Sequence, residues 1–282
     1  MDAVNREQAE HWNSEQAADH WITHQARSDR MHEPFAAMIL REAAVGPADR
    51  VLDVGCGCGA TTRAAAALAT AGEVIGIDLS APMLAQARAD AQSAGLANTS
   101  FVEGDAQAHP FEPGSFDVVI SRFGVMFFAD PDAAFTNLHT ATKPGGRLVF
   151  VCWQPMTANQ WLLVLGAALA EHLPVPDAGP PDAPGMFALA DPGRIRGILA
   201  GAAWHDIEIT PVHTPILVGG EGTIDDAVEF LRTGSLGRTM LAGADPDTQA
   251  RAIASVRTAL APYADEEGVR LGAAVWLVRV VA

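Results

Sequence analysis

Residues 51–62 read VLDVGCGCGATT, and this stretch decides the fold. Its first part is an apolar run that ends in an acidic residue, and its second part alternates three glycines with two cysteines. Glycine accepts left-handed backbone conformations and lets the chain approach a ligand closely. The stretch is therefore typical of a buried strand followed by a tight turn and the start of a helix.

The flanking sequence repeats this alternation of strand and helix. Apolar strand patterns occupy residues 73–80, 99–106, 116–123 and 147–154, and helical patterns occupy residues 60–71, 81–95 and 130–146. Two further strand patterns follow at 206–219 and 269–281. Strands that alternate with helices form βαβ units with right-handed crossovers, and such units build a parallel sheet. We therefore predict an α/β fold.

The segments outside this alternation predict helical covers. The first 46 residues indicate one or two amphipathic helices and then a helix that starts at Pro34 and ends near residue 44. After Trp153 the pattern predicts helices at 159–173, 191–204, 224–241 and 246–263, with a Pro/Gly-rich loop at 174–185. We expect an N-terminal helical cap over residues 1–46 and one domain over residues 47–282, with insertions at about 154–190 and 219–266 that cover a substrate.

The composition argues against several classes of partner. The chain has 282 residues, 49% of them hydrophobic, and a formal net charge of −16, with Lys143 as its only lysine. Binding to nucleic acid or to an anionic membrane needs clustered basic residues, so we expect neither partner. The apolar runs are shorter than the about 20 residues that span a bilayer, and the polar N-terminus lacks the apolar core of a signal peptide. The acidity suits a cationic or neutral small substrate, although it also serves solubility alone.

The three cysteines predict a reducing, cytoplasmic setting. They are Cys56, Cys58 and Cys152, an odd number with two of them only two residues apart, which argues against a disulfide framework. The same spacing is tighter than the C-x2-C spacing of zinc ligands, and Cys152 belongs to a different predicted strand. We therefore predict no metal site and interpret the first two cysteines as small residues in a crowded turn.

Acidic residues stand at the ends of three successive predicted strands, as Asp53, Asp78 and Asp105. The carboxyl ends of parallel strands meet at one edge of the sheet, where open α/β sheets bind their ligands. A carboxylate at the first position would repel a pyrophosphate and suit an ammonium group, and one at the second commonly binds a ribose diol. The alternative is that each aspartate only caps a helix or turn. Three such acids beside the glycines favour a ligand site.

Five motifs in this order resemble those of class I S-adenosylmethionine-dependent methyltransferases. They are VLDVGCGCGATT, GIDLSAPMLAQAR, FVEGDAQAHPF, FDVVISRFGVMFF and LHTATKPGGRLVFVCW, and they look most like the type 11 and ubiquinone/menaquinone-biosynthesis-like branch. The resemblance covers about residues 48–153 and is weaker on either side. It implies a Rossmann-like, seven-stranded, mostly parallel sheet with an antiparallel last strand and helices on both faces. It also implies S-adenosyl-L-methionine as the cofactor and an enzyme that transfers its methyl group.

The resemblance further assigns cofactor roles to the strand ends. The glycine loop would hold the methionine part, Asp78 would bind both ribose hydroxyls, and Asp105 would meet the adenine amino edge. The implied set is Asp53, Gly55, Cys56, Gly57, Gly59, Asp78, Leu79, Met83, Asp105, Ala106 and Ser121. Cysteine at both variable positions of the glycine loop departs from the family pattern, but cysteine is small and buries readily, so it need not impair binding.

An acceptor site is expected where the N-terminal helices, the loop after the fourth strand and the insertions meet. The predicted substrate-binding residues are Trp21, Arg122, Phe123, Met126, Phe127 and Trp153, with Phe128 and Trp161 as further candidates. A cavity lined by such side chains suits a small hydrophobic molecule. Two alternatives stay open: the run RFGVMFF is equally consistent with a buried strand extension, and Arg122 either meets an anionic acceptor or pairs with a neighbouring acid.

A general base is harder to assign from the sequence. His20 and His24 lie four residues apart and would share one helix face. We take His24 as the leading catalytic candidate, against the alternative that it is a surface or capping histidine.

These features together predict a cytoplasmic enzyme of secondary metabolism that methylates a small apolar or aromatic molecule. O-methylation is favoured slightly over C- or N-methylation, by an in-line displacement that depends mainly on alignment. The apolar helices of the insertions leave a homodimer contact open. The alternatives are another group transfer, cofactor binding without turnover, or an NAD-dependent oxidoreductase, whose fingerprint needs the third glycine one residue later. A nucleic-acid methyltransferase would need a basic groove, and its N-P-P-Y motif is absent.

Overall fold

The computed structural model describes residues 6–175, 180 and 183–282. Part of the predicted Pro/Gly-rich loop, 176–179 and 181–182, lies outside the described residues. The described chain contains seven strands, and each predicted strand is among them. They are β1 (Arg50–Val54), β2 (Glu73–Asp78), β3 (Thr99–Glu103), β4 (Phe116–Arg122), β5 (Thr142–Trp153), β6 (His205–Leu217) and β7 (Arg270–Val281).

The strands form one sheet in the order β3-β2-β1-β4-β5-β7-β6. Strands β1 to β5 pair in parallel, whereas β7 runs antiparallel to both β5 and β6. This is the predicted mostly parallel sheet with an antiparallel last strand. Strands β2 and β3 lie on one side of β1, and β4 and β5 lie on the other. The strand order therefore switches at β1, and the carboxyl ends of β1, β2 and β4 border one crevice, which is the usual ligand site of such sheets.

Eleven α-helices accompany the sheet in the described residues. They are α1 (Arg6–Asn13), α2 (Glu15–Thr23), α3 (Gln25–Ala43), α4 (Ala60–Ala66), α5 (Ala81–Ser93), α6 (Pro131–Ala141), α7 (Gln160–Ala170), α8 (Pro192–Gly201), α9 (Ile224–Thr233), α10 (Ser235–Leu241) and α11 (Pro246–Leu260). The crossovers are right-handed and leave β1 in opposite directions, which places α4 and α5 on one face and α6 on the other. Helix α3 contacts α4, and α8 contacts α6, so both faces are covered.

The helix expected to begin at Pro34 begins at Gln25 instead, and Pro34 lies inside it. An interior proline removes one backbone hydrogen bond and costs about 3 kcal/mol or more. Helix α3 offsets this cost because Phe35 and Ile39 are fully buried against the sheet, and each such side chain contributes about 1.5–3 kcal/mol. The proline therefore marks no boundary here.

Two other predicted boundaries were wrong. The helix predicted over 130–146 ends at Ala141, because the next residue already pairs with β4 as the first residue of β5. The helical pattern at 224–241 is divided into α9 and α10 by Gly234, whose extended backbone interrupts the helix.

Helix α1 is fixed at the carboxyl end of β2. The Asn13 side chain donates to the Leu79 carbonyl oxygen at 2.8 Å and accepts from the Ala81 N–H at 3.0 Å. The Ser80 hydroxyl donates to the Trp12 carbonyl oxygen at 2.9 Å. These bonds join the N-terminal helices to the N-terminus of α5, so the helices lie beside the crevice rather than away from it.

Among the helices of the described residues, none combines the length and the apolar character needed to cross a bilayer.

Candidate active site

The three glycines of the loop after β1 have left-handed backbones but separate tasks. Gly55, Gly57 and Gly59 have φ angles of 68°, 53° and 77°. A Cβ on Gly55 would lie 2.6 Å from the Cα of Gly124, so two loop backbones touch there. A Cβ on Gly59 would lie 3.0 Å from both the Ala87 Cβ and the Phe101 ring. Only Gly57 has an open side, with its nearest neighbour at 3.9 Å, so it is the glycine that leaves room for a ligand.

The two loop cysteines are structural. Cys56 is buried against β2, where a Cβ on Gly76 would come within 2.8 Å of the Cys56 Sγ. Burial raises the pKa of the Cys56 thiol well above its usual range and that of Cys58 to about 12. Both side chains are therefore protonated thiols at neutral pH in the free protein. In the described ranges, no group of three or more histidine, cysteine, aspartate or glutamate side chains is arranged to hold a metal ion.

Asp53, at the end of β1, is an almost fully buried carboxyl group. Its exposure is 1%, and the Thr62 hydroxyl donates to it at 2.6 Å. Burial raises the pKa of Asp53 to about 6, although the Thr62 hydrogen bond and the Arg122 charge act in the opposite direction. The group therefore changes charge just below neutral pH.

The other two strand-end acids differ in how fully their oxygens are used. Asp78 accepts from the Gly57 N–H at 2.8 Å and the Ser80 N–H at 2.9 Å, and burial raises its pKa. A carboxylate has about four acceptor positions, so Asp78 can accept further hydrogen bonds. Asp105 accepts from the Gln107 N–H through Oδ1 at 3.0 Å, while its buried Oδ2 has no partner among the described residues.

A cavity of about 460 Å³ connects these acids to an aromatic compartment. From the predicted cofactor set it is lined by Asp53, Gly55, Cys56, Gly57, Asp78, Leu79, Met83, Asp105 and Ala106. From the predicted substrate set it is lined by Trp21, Arg122, Phe123, Met126, Phe127 and Trp153, and Phe128 and Trp161 join them. The structure therefore brings both predicted sets to one cavity.

Three predicted site residues do not line this cavity. Gly59 serves the helix packing described above. Ser121 is fully buried, donates to the Val54 carbonyl oxygen at 2.7 Å and accepts from the Gly124 N–H at 3.1 Å. It thus joins the loop after β4 to the end of β1, and its expected contact with the methionine end is not seen in the lining.

His24 is the third of these residues. Helix α2 ends at Thr23, but the His24 N–H still donates to the His20 carbonyl oxygen at 3.0 Å and the two rings lie 5.0 Å apart, so the histidines remain neighbours as predicted. The Thr233 hydroxyl lies 3.3 Å from the His24 Nε2, outside the cavity lining. His20 lines the cavity instead.

Aromatic side chains form a continuous wall in the compartment. The Phe123 ring stacks on Trp153 with centroids 4.4 Å apart, and Trp153 lies 5.6 Å from Trp161. Phe123 has a φ of 65°, a conformation that costs a bulky residue about 1–2 kcal/mol and is held here by the surrounding rings. His32 also belongs to the wall, 5.4 Å from Phe123, and burial lowers its pKa to about 3, so it is neutral.

Arg122 takes the second of its two expected roles. Its guanidinium lies 3.2 Å from Asp29 of α3, and its side chain is 15% exposed. It therefore pairs with a neighbouring acid, and the pair joins α3 to the end of β4 at the edge of the cavity.

Residues 51–146 match the family model described as a methyltransferase domain. This match shows a methyltransferase domain over about a third of the chain, and the sheet order is the one that the resemblance to class I S-adenosylmethionine-dependent methyltransferases predicted.

Two curated relatives show how far the similarity extends. The demethylmenaquinone methyltransferase of Thermus thermophilus is 38% identical over 125 residues, which are 44% of this chain and 56% of the relative. The aklanonic acid methyltransferase DauC of a Streptomyces species is 35% identical over 133 residues, 45% of this chain and 60% of the relative. The chain thus spans little more than half the length of these two relatives.

A solved structure covers more of the chain at lower identity. The YcgJ protein of Bacillus subtilis superposes with a TM-score of 0.59 and 18% identity, over 89% of this chain and 98% of that protein. At this identity the likeness concerns the fold alone.

Proposed function

We propose that this protein transfers the methyl group of S-adenosyl-L-methionine to a small, uncharged, apolar or aromatic acceptor. O-methylation is favoured over C- or N-methylation. The observation that carries the proposal is the single cavity in which strand-end carboxylates, one of them with an unsatisfied oxygen, adjoin an aromatic compartment. The named activities of the two relatives, both methyl transfers, support it.

The residues present fit the donor. Asp105 offers a buried acceptor atom without a partner, which suits the amino group of adenine. Asp78 retains acceptor positions for a ribose diol, and Leu79 and Met83 supply apolar walls beside it. The open side of Gly57 and the carboxyl of Asp53 are placed for the amino-acid end.

The protein's own contribution is alignment in a dry compartment. When bound, S-adenosyl-L-methionine supplies an already activated methyl group, so the difficult chemistry belongs to the cofactor. The compartment wall is apolar and buried, since Trp153 and Met126 are 3% and 2% exposed, and such a wall leaves few polar partners for water. Correct placement of two reactants is worth about 7–11 kcal/mol of a barrier in favourable cases. Because His24 does not line the cavity, the proposal rests on this alignment and not on a base at that position.

Calorimetry separates the proposed donor from the competing cofactor. S-adenosyl-L-methionine and S-adenosylhomocysteine should each bind at one site, and NAD should not, because a pyrophosphate beside Asp53 would be repelled. Binding of NAD without binding of either sulfur compound would contradict the proposal. Methyl transfer is then measured with S-adenosyl-L-methionine labelled in the methyl group and a set of aromatic alcohols.

The charge of Asp53 predicts a pH dependence of donor binding. Below about pH 6 the free protein carries a neutral Asp53 and loses its attraction for the donor's positive charges. The affinity for S-adenosyl-L-methionine should therefore fall as the pH is lowered from 7 to 5, by at most about tenfold per pH unit. Asp53→Asn should bind more weakly at pH 8 and show a flatter profile. A wild-type profile that matches the variant's would contradict this role.

The stability of the free protein gives an independent check on Asp53. Its pKa is raised from 3.8 to about 6, so the folded state favours the neutral form. The contribution of this group to the free energy of unfolding is highest below pH 4 and falls as the pH rises toward 6. Donor binding and this stability contribution should thus change in opposite directions over the same range.

The proposal includes a reducing, cytoplasmic setting. All three cysteines of the chain are free thiols in the structure, which supports such a setting.

A further inference from the structure

Three buried polar side-chain atoms in the described part of the chain have no hydrogen-bond partner. They are His20 Nδ1, Asp105 Oδ2 and Trp161 Nε1, and all three residues line the one cavity. Folded proteins pair nearly all buried polar atoms, because an unpaired one costs about 1–3 kcal/mol. Their shared location indicates that a ligand supplies the missing partners.

The three atoms divide between two ligands. Asp105 follows β3 on the donor side and is accounted for by the adenine of the proposed cofactor. His20 and Trp161 belong to the aromatic compartment, where the Trp161 ring lies 5.6 Å from Trp153 and the His20 ring lies 5.4 Å from Phe230. Both residues are 8% exposed, so bulk water does not reach them freely.

Trp161 requires an acceptor atom, because an indole N–H can only donate. Two other tryptophans show the usual arrangement in this chain. The Trp204 Nε1 donates to the Phe135 carbonyl oxygen at 3.0 Å, and the Trp276 Nε1 donates to the Ala190 carbonyl oxygen at 2.8 Å. The Trp161 N–H has no such partner among the described residues, although the Trp161 side chain lines the cavity.

His20 can pair with a hydroxyl group. Burial, reinforced by the charges of His24 and Arg238, lowers the pKa of His20 to about 4, so its imidazole is neutral at pH 7. A neutral ring nitrogen accepts from a hydroxyl or donates to an oxygen, depending on its tautomer.

The charged side chains of the compartment wall already have partners. Arg122 pairs with Asp29 at 3.2 Å, and Arg238 donates to the Thr233 carbonyl oxygen at 2.7 Å. With His20 and His32 neutral and Arg122 paired with Asp29, the unpartnered groups of the compartment are uncharged, which suits an uncharged ligand.

We propose that the methyl acceptor is an uncharged aromatic molecule with oxygen substituents, one of which accepts from Trp161 Nε1 while a hydroxyl group pairs with His20 Nδ1. The inference rests on the proposed function and adds two specificity-determining residues to it. It assigns the Trp161 N–H to a carbonyl or hydroxyl oxygen and the His20 imidazole to a hydroxyl, and it leaves the aromatic wall to hold the ring.

Matched pairs of probes test each contact by calorimetry, with the protein saturated by S-adenosylhomocysteine. For Trp161 the pair is 1-tetralone and tetralin, which differ in one carbonyl group. For His20 the pair is 1-naphthol and naphthalene, which differ in one hydroxyl group. The wild type should bind the oxygen-bearing member of each pair about five- to tenfold more tightly.

Matched variants then locate the effect. Trp161→Phe should abolish the preference for 1-tetralone, and His20→Phe should reduce the preference for 1-naphthol. Trp204→Phe removes the same atoms from a tryptophan outside the cavity and should keep both preferences. Because Trp204→Phe breaks a hydrogen bond and Trp161→Phe removes an unpaired donor, the thermal midpoint should fall more for Trp204→Phe.

The outcomes separate this inference from the proposed function. If S-adenosylhomocysteine binds but the wild type shows no oxygen preference, or binds none of the four probes, the inference is overturned and the proposed function stands. A preference for 1-tetralone that survives in Trp161→Phe also overturns it. If S-adenosylhomocysteine itself fails to bind, the proposed function fails first.

Discussion

Asp78→Ala should lower the affinity for S-adenosylhomocysteine by about 100-fold or more. In the proposed complex Asp78 accepts two ribose hydroxyl groups, and a hydrogen bond to a charged group contributes about 1.5–3 kcal/mol. The same carboxylate accepts from the Gly57 N–H, so its loss also releases the turn that leaves room for the donor. Isothermal titration calorimetry of the folded variant measures the effect directly.

Glu103→Ala is the matched control for Asp78→Ala. Glu103 lies directly opposite Asp78 in the register of β2 and β3, but it is exposed and does not line the cavity. Removing this carboxylate changes the net charge equally and should leave the affinity within about twofold of the wild type, because exposed charges contribute little. Equal affinities of Asp78→Ala and the wild type would show that the donor is not held at this strand end.

Gly55→Ala should destabilise the protein by about 2–5 kcal/mol and abolish measurable donor binding. The φ of 68° costs an alanine about 1–2 kcal/mol, and the added Cβ would lie 2.6 Å from the Gly124 Cα. A backbone atom cannot rotate away as a side chain can, so the loops after β1 and β4 must separate, at a further cost typical of overpacking. Chemical denaturation and calorimetry give the two readouts.

Gly95→Ala separates the two contributions at Gly55. Gly95 has nearly the same φ, 69°, but a Cβ there would meet nothing within 4 Å. Its replacement should cost about 1–2 kcal/mol through backbone strain alone and should leave donor binding intact. If both variants lose the same free energy of unfolding, the contact between the two loops contributes nothing to the effect of Gly55→Ala.

The strand-end acids were predictable because their placement follows from topology. Parallel strands that end in aspartate must bring Asp53, Asp78 and Asp105 to one edge of the sheet, whatever the details of packing. The glycine pattern predicted the turn in the same way. The strand-end aspartates and the glycine turn are each encoded by residues that are adjacent in the sequence. They can therefore be predicted from one sequence without a structure.

The acceptor side was only partly predictable. His24 was favoured as the catalytic candidate, but of these two neighbouring histidines only His20 lines the cavity, a difference that depends on the packing around them and not on their spacing in the sequence. Trp161 was a candidate for its size, but its unpaired N–H depends on which carbonyl groups lie nearby in space. No sequence pattern shows which carbonyl groups lie near the Trp161 N–H.

Ser121 and Gly59 remain predicted cofactor contacts. Both occupy positions where the family resemblance implies cofactor contact, yet each has a packing or hydrogen-bonding task behind the cavity wall. A glycine required by a neighbouring ring and a glycine required by a ligand look alike in a sequence.

A crystal structure of the protein with S-adenosylhomocysteine tests the central claim most directly. We expect the ribose hydroxyl groups to lie within hydrogen-bond distance of the Asp78 carboxylate, and the adenine amino group to donate to the Asp105 Oδ2, which has no partner in the described structure. A nucleoside bound elsewhere, or one that leaves Asp105 Oδ2 without a partner, would contradict it.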